Sequence, residues 1–452
     1  MPFRVIRLIF FISLAFLVIR NLLLCVILPP WSFGNEIANF DYILKLGQGK
    51  IPHPSNFIED DLYLFHRDNY DFRYISNRER GEEAKVTNIS DLGLAAFSYQ
   101  ANQPPLAYLV YSFFRKIFLV FSTSMKFQII ILRTVALAVV VGGLLLVYFG
   151  LIQQKINNPL FYFPLFFIAL LAQDMYFSIN IDVFAFFFGC LIINRLLVLY
   201  REPGSNYNWF YFALAMSLIM WVNISGVIMM LVIFPLIVLF LYLSGEKKDS
   251  KIWSKGILYF LASILMGLPW YVFNLIRFGN PFRYDRFMSL HAAPTPSAQP
   301  FSLPNIINFF RAFSRTLFRG EFIWKGSYFD VLPEVLNEVL LTIIPLALIF
   351  LGLSFILKVK QKGKTNEFWL QKFFLVAGFV LLFVFFVGNF FIGGLPYYHA
   401  RIAFPAFYFI LFLYAAGWLK IFRRPIIACL VPTIWLLAYN LMYLTRLLKE
   451  FI

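Results

Sequence analysis

Long apolar runs separated by short basic gaps constrain this chain more than any other feature. Inside hydrocarbon no water can pair an open amide, so a spanning segment must be a helix or a strand of a closed barrel. Barrel strands need only about 9–11 residues, and most runs here are longer and unbroken. They read as helices. About 20 apolar residues cross a bilayer at about 1.5 Å each, and the chain offers about eleven such runs. Composition agrees: of 452 residues, 61% are hydrophobic and 14% charged, against about a quarter charged in a soluble domain. The fold class expected is an all-α polytopic membrane protein forming a single integral membrane domain over residues 1–452.

A formal charge of +16 could suit nucleic acid, but the basic residues sit in short gaps rather than along one polar face, so no nucleic-acid partner is expected. The gaps at Lys155, at Arg195 and Arg201, at Lys247 to Lys255, at Lys358 to Lys364 and at Lys420 to Arg424 alternate with gaps nearly free of lysine. The positive-inside rule puts them in the cytoplasm, with the amino terminus inside and the carboxyl terminus outside. The first run, Leu8 to Leu28, follows Arg4 and Arg7 like a signal peptide, but it is long and lacks a small-x-small cleavage site before Pro29, so it reads as an uncleaved span. Cys25, Cys190 and Cys429 fall inside apolar runs, where a thiol behaves as a small hydrophobe.

This topology leaves two long outer segments, residues 29–127 and 278–332, and a short one around Pro396 to Arg401. All four histidines, His53, His66, His291 and His399, fall in them, without a metal-ligand spacing. A divalent metal stays possible, and no other cofactor is called for. Just past the first run, Asn35-Glu36-Ile-Ala-Asn39-Phe-Asp41-Tyr42 gathers polar groups at the membrane surface. If helical, it places Glu36 and Asn39 on one face. A partly desolvated carboxylate there could be a general base, or simply a helix-start acid beside an Asn35 cap. Gln103-Pro104-Pro105-Leu106-Ala-Tyr108 marks a helix start, since proline needs no amide hydrogen in a first turn. Arg133, Arg277 and Arg401 sit near predicted outer ends of spans. Each calls for an anionic partner such as a lipid phosphate, or else snorkels to headgroups. The turn from Asp174 to Asp182 brings further acids to that side, either as site groups or as helix caps.

Taken in order, these segments resemble the GT-C superfamily, multispanning glycosyltransferases that use a polyprenyl-phosphate sugar donor, and in particular bacterial relatives of the protein mannosyltransferases. That family opens its first outer loop with Asp-Glu and a His-Phe-Asp-Tyr-like stretch, matched by Asn35-Glu36 and Asn39 to Tyr42. It closes the loop with a Gln-Pro-Pro-Leu-Tyr-Tyr-like stretch, matched by Gln103 to Tyr108. An arginine in the next span is matched by Arg133, and an Asn-Asp pair is approximated by Asn180 and Asp182. Trp270, Tyr271, Asn274, Gly279 and Pro281 follow a Trp-Tyr-x-x-Asn-x-x-x-x-Gly-x-Pro pattern, and Ala400-Arg401-Ile402 with Pro405 follows Gly-Arg-Tyr-x-x-Pro. The likeness covers residues 8 to about 420. The family's leading aspartate is Asn35 here, and a lysine between its fifth and sixth spans corresponds to Asn223.

The resemblance implies a GT-C-like fold, with about eleven spans and a large first outer loop carrying juxtamembrane helices. It implies transfer of a sugar from a polyprenyl-phosphate donor to a glycan, lipid or protein acceptor at the outer face of a bacterial inner membrane. With Asn35 in place of aspartate, Glu36 is the expected base, with Asp41 and Asp182 positioning the acceptor or a metal. Arg133, Arg277 and Arg401 would bind the donor phosphate. Asn35, Gln103, Tyr108, Asn180, Trp270 and His399 would position substrate. The alternatives are a GT-C-like protein that binds lipid-linked glycan without reaction, a ligase or polymerase of such glycans, and a lipid-glycan transporter, whose marks would be half-helices and mid-membrane charges.

Overall fold

The structure is a computed structural model that describes residues 3–31, 36–53, 56–69, 98–244, 250–281, 302–320, 322–324, 327–358, 366–391 and 400–451. The first apolar run forms α1 (Phe3–Ile27). Next come α2 (Glu36–Gly47), α3 (Asp60–Asn69), a 3-10 turn Tyr99–Asn102 and α4 (Leu106–Phe118). Then follow α5 (Met125–Gln153), α6 (Phe163–Leu170), α7 (Asp182–Arg201), α8 (Asn206–Met220), α9 (Ser225–Ser244), α10 (Ser250–Gly267) and α11 (Pro269–Phe278). After α12 (Leu303–Arg319), two-residue strands β1 (Ile323–Trp324) and β2 (Ser327–Tyr328) pair antiparallel. The chain continues through α13 (Glu334–Glu338), a π turn Val339–Ile343, α14 (Ile344–Lys358) and α15 (Asn366–Phe391). It closes with a 3-10 segment Ala400–Ala406, α16 (Phe407–Phe422) and α17 (Pro425–Phe451).

Among the described residues, eight helices are long and apolar enough to cross a membrane, or nine if α10 and α11, bent by 43° at Leu268, count as one span. The chain is a helical, multi-pass membrane protein. Eight is fewer than the eleven expected, because α8 has 15 residues and the run around α6 is broken after Leu170.

Among the described residues, those at or beside the basic gaps gather at one end of the bundle. Arg201 reaches Gln154 (3.5 Å), the Asn157 amide reaches Glu367 (3.3 Å), and Asn158 reaches Gln371 (3.4 Å). Lys255 donates to the Gly204 carbonyl and Lys420 to Ser354. At the seam between α14 and α16 the backbones come close enough that a Cβ on Gly352 would strike the Leu413 carbonyl, and one on Gly417 the Leu348 carbonyl. Small residues serve this purpose in membrane bundles, where lipid gives helices no hydrophobic reason to associate.

The opposite end is built differently. The sequence expected a helix after Pro104-Pro105, and α4 starts there, with Pro105 as its cap. Its first amide donates to the Trp221 carbonyl in the turn between α8 and α9 (3.3 Å), and its far end leads directly into α5. Both ends of α4 therefore sit at one rim of the bundle, and the helix lies along that rim. It buries Tyr108, Tyr111 and Ser112 and exposes Leu109, Phe113 and Ile117. On α12, Phe309, Phe313 and Leu317 face inward, while Arg311 (2.6 Å) and Arg315 hold Glu338 of α13.

The broken run is what most shapes the site. From Pro159 to Leu170 the helical pieces rise about 18 Å, short of the roughly 30 Å of hydrocarbon. The chain then goes on without regular structure, and buried irregular backbone needs partners from elsewhere. Asn440 of α17 donates to the Leu170 carbonyl, and Arg20 of α1 to that of Leu171 (2.9 Å). The Ala172 amide donates to Phe318 of α12 (3.2 Å), and Gln173 to the Thr316 (2.6 Å) and Leu317 (2.5 Å) carbonyls. Three other elements thus carry this segment across.

Candidate functional site

That segment ends in the turn 177–182, against which α2 packs its acidic face. Glu36 opens α2, as a helix-start acid should, and meets Arg133, which stands about two turns inside α5. The pair is bidentate: Arg133 Nε donates to Oε1 (2.9 Å) and Nη2 to Oε2 (2.7 Å). Arg133 also donates to the carbonyls of Leu28 (2.8 Å), Pro29 (2.9 Å) and Cys25 (3.5 Å), so it closes the last turn of α1. Glu36 Oε1 further accepts from the Ile179 amide (3.2 Å). Glu36 is 1% exposed and Arg133 0%.

This geometry corrects two expectations. Glu36 was expected at a wet boundary, ready to take a proton, but both of its oxygens are engaged and water is excluded. Arg133 was expected to seek a lipid phosphate, whereas its anionic partner is Glu36, 97 residues away in sequence.

Asn39, one turn along α2, donates to the Ile179 carbonyl (2.7 Å) and accepts from Tyr108 (2.9 Å). Tyr111 donates to the Asn180 carbonyl (3.0 Å). Asn180 itself folds inward, donating to Met175 (3.0 Å) and Ser178 (2.9 Å) carbonyls and accepting from the Val183 amide (3.1 Å), so it shapes the entry to α7. The turn is therefore held on every side, and it carries Asp182, the first residue of α7. Asp182 is half-buried and accepts from Asn223 Nδ2 (2.9 Å).

Asp41 lies elsewhere on α2. It accepts from Lys45 Nζ (3.0 Å), Ser98 Oγ (2.6 Å) and the Glu59 amide (2.9 Å), and so binds α2 to the stretches at residues 59 and 98. Burial raises its carboxyl above the ordinary range, with Lys45, Ser98 and the Glu59 amide pulling the other way. Lys45 also donates to the Phe57 carbonyl (2.7 Å). An open cleft of about 440 Å³ borders this cluster, lined by Lys45, Lys50, Asn56, Glu59 and Asp60 among others, a size within the range of small-molecule sites.

Of the other expected residues, Trp270 stacks on Phe273 (5.1 Å), and Arg277 lies over the same ring (5.6 Å) while donating to the Ile51 carbonyl (3.2 Å). This joins α11 to the cleft wall. The Gln103 carbonyl is 3.5 Å from the Tyr42 hydroxyl. Arg401, half-buried, is the second residue of the 3-10 segment Ala400–Ala406, which packs on α7 and α9. There Phe404 stacks on both Phe186 (5.1 Å) and Tyr176 (5.7 Å), so Arg401 stands at the level where α7 begins. Asn35 and His399 lie outside the described residues, and so does the side chain of His66. Among the described residues no three His, Cys, Asp or Glu side chains come together as a metal site would require.

Sequence reasoning missed Arg20, Lys45 and Asn440. Arg20 had a signal, a lone Arg-Asn pair inside an apolar run, but charge was sought only at the ends of runs. No family model, no curated protein and no solved structure matches the chain.

Proposed function

We propose that the protein is a membrane glycosyltransferase of GT-C type, moving a sugar from a polyprenyl-phosphate donor to an acceptor at the outer face of a bacterial inner membrane. In this reading α6 and α8 also cross, which with α1, α5, α7, α9, α10, α14, α15, α16 and α17 makes eleven spans, and the end holding α2 and α4 faces out. The single observation that carries it is the turn 177–182: four polar contacts, two from α2, one from α4 and one from the α8–α9 turn, hold an irregular stretch that presents one half-buried carboxylate, Asp182. Rigidly held acids beside a membrane rim are what an acceptor hydroxyl arriving at a lipid-borne sugar needs.

Asp182 takes the role of base that Glu36 was expected to fill. It accepts the acceptor's proton as that oxygen bonds to the anomeric carbon, and the bond from that carbon to the phosphate oxygen breaks. Polyprenyl phosphate leaves as an anion, which Arg401 stabilises at the same level of the bundle. Glu36 and Arg133 serve as a strut under the turn. The test is sugar transfer from a polyprenyl-phosphate hexose by the full chain in liposomes. Asp182→Asn should lower transfer about a hundred- to ten-thousandfold, with Arg401→Ala raising donor KM. Full activity in Asp182→Asn would end this reading.

A lipid-moving protein is the second reading, favoured by the broken run at α6 and by Arg20 inside α1, the half-helix and buried charge expected of transporters. Movement of lipid-linked sugar across the vesicle wall with no covalent transfer would select it.

A further inference from the structure

Arg195 lies inside α7, one of the helices long and apolar enough to span. Six residues separate it from the helix end at Arg201, so it stands about 9 Å in from that end. Its neighbour Asn194 turns toward α5 and donates to the Leu146 carbonyl (3.0 Å). Arg195 turns toward α8, where its guanidinium lies over the Tyr211 ring (5.8 Å). It is half-buried, and among the described residues it makes no ion pair and no hydrogen bond. A ring face offers a cation only a weak attraction, so five N–H donors are left without an acceptor from the chain. Beside it, Tyr211 donates to the Tyr207 hydroxyl (2.8 Å), and the two rings meet edge to face (4.5 Å). Tyr207 is 67% exposed, and this bond leaves its own proton for a partner outside the protein.

These donors open onto the seam between α7 and α8. One turn deeper, Leu191 continues the Arg195 face of α7, and Leu214 and Leu218 continue the Tyr211 face of α8. All three are half-buried, so the seam is apolar toward the bilayer middle and polar at its basic end. Around the α7–α8 turn stand Arg201, at the end of α7, and Lys255, which donates to the Gly204 carbonyl; the one acid there, Glu202, is exposed and accepts from Asn208 (3.3 Å). An arginine at this depth reaches the level of the lipid headgroups, and a charge there calls for an anion. We propose that this seam binds one anionic phospholipid, its phosphate accepting from Arg195 and from the Tyr207 hydroxyl and its acyl chains lying along Leu191, Leu214 and Leu218. The surplus of positive charge selects a head of net negative charge over a zwitterionic one, whose ammonium it repels. Asp182 opens α7 at the opposite end, so this site is independent of the reaction proposed above.

The experiment titrates the purified full chain, in neutral detergent, with phosphatidylglycerol or with phosphatidylethanolamine of the same acyl chains, and counts bound lipids by native mass spectrometry. The wild type should hold its first phosphatidylglycerol more tightly than its first phosphatidylethanolamine. Arg195→Met should weaken that first phosphatidylglycerol by about ten- to a hundredfold, the worth of a hydrogen bond to a charged group. Because Arg195 touches the rest of the chain through one ring, the variant should keep the wild-type Tm in lipid-free detergent. Tyr207→Phe, which removes only an exposed hydroxyl, should weaken it by about three- to tenfold. Inorganic phosphate at constant ionic strength should not displace the lipid. Equal affinity for the two lipids, unaltered retention in either variant, or displacement by inorganic phosphate, the mark of a site for a soluble anion, would each overturn the proposal.

Discussion

The two ends of this bundle are held by different physics. At the end that collects the basic gaps, several polar contacts lie at the surface: Arg201 to Gln154 at 3.5 Å and Asn208 to Glu202 at 3.3 Å are both exposed. At the other end they are short, buried and distant in sequence, as in Glu36 with Arg133 or Gln173 with the Thr316 carbonyl. Surface pairs in water contribute about 0–1 kcal/mol, so the basic end is kept together mainly by helix packing. The opposite end spends polar side chains to stabilise irregular backbone, a cost that folding alone does not require. Such expense marks the end where geometry matters for something other than stability.

The largest test of this contrast is Arg133→Met. Removing one partner of a buried pair leaves a stranded charge, and the expected loss of stability is about 3–5 kcal/mol. Arg201→Met at the basic end should change stability by less than about 1 kcal/mol. Equal losses in denaturant unfolding would erase the distinction between the ends. Pairing Arg133→Met with Glu36→Leu removes both charges and should recover much of the loss, since well-packed apolar replacements of buried pairs are often neutral.

Asn39→Ala sharpens the comparison within the end that holds α2 and α4. It takes the Asn39 donor from the Ile179 carbonyl and one acceptor from the Tyr108 hydroxyl, so it should cost about 1–3 kcal/mol. Because Asn39 grips the turn before Asp182, transfer activity should fall further than stability does. An activity unchanged in the folded variant would separate the turn from the reaction.

How much of this was legible beforehand follows the same divide. Apolar length and basic gaps are local properties, and they located α1, α5, the start of α4 and the clustering of Lys155, Arg201 and Lys255 without any knowledge of contacts. Glu36 and Arg133 were each picked out as functional residues, yet nothing in either neighbourhood says that they are partners across 97 residues. Arg20 was hidden because an apolar run averages over a single charge, and its partner Asn440 lies 420 residues on. The break after Leu170 escaped for a related reason: Phe, Ile and Leu continue on both sides of it, and the donors that make it possible come from α1, α12 and α17.

The smallest expected effect concerns Asp41, whose burial lifts its carboxyl above the ordinary value despite Lys45 beside it. The folded chain therefore holds this proton more tightly than the unfolded one. Between the ordinary carboxylate value and the raised one, folding takes up a proton, so stability falls as pH climbs through that interval and levels off above it. Each tenfold difference in proton affinity is worth about 1.4 kcal/mol. Asp41→Asn should flatten the slope. If unfolding measured across that interval keeps its slope in Asp41→Asn, the titrating group lies elsewhere, and the cluster around Lys45 and Ser98 holds its charge at every pH at which the chain folds.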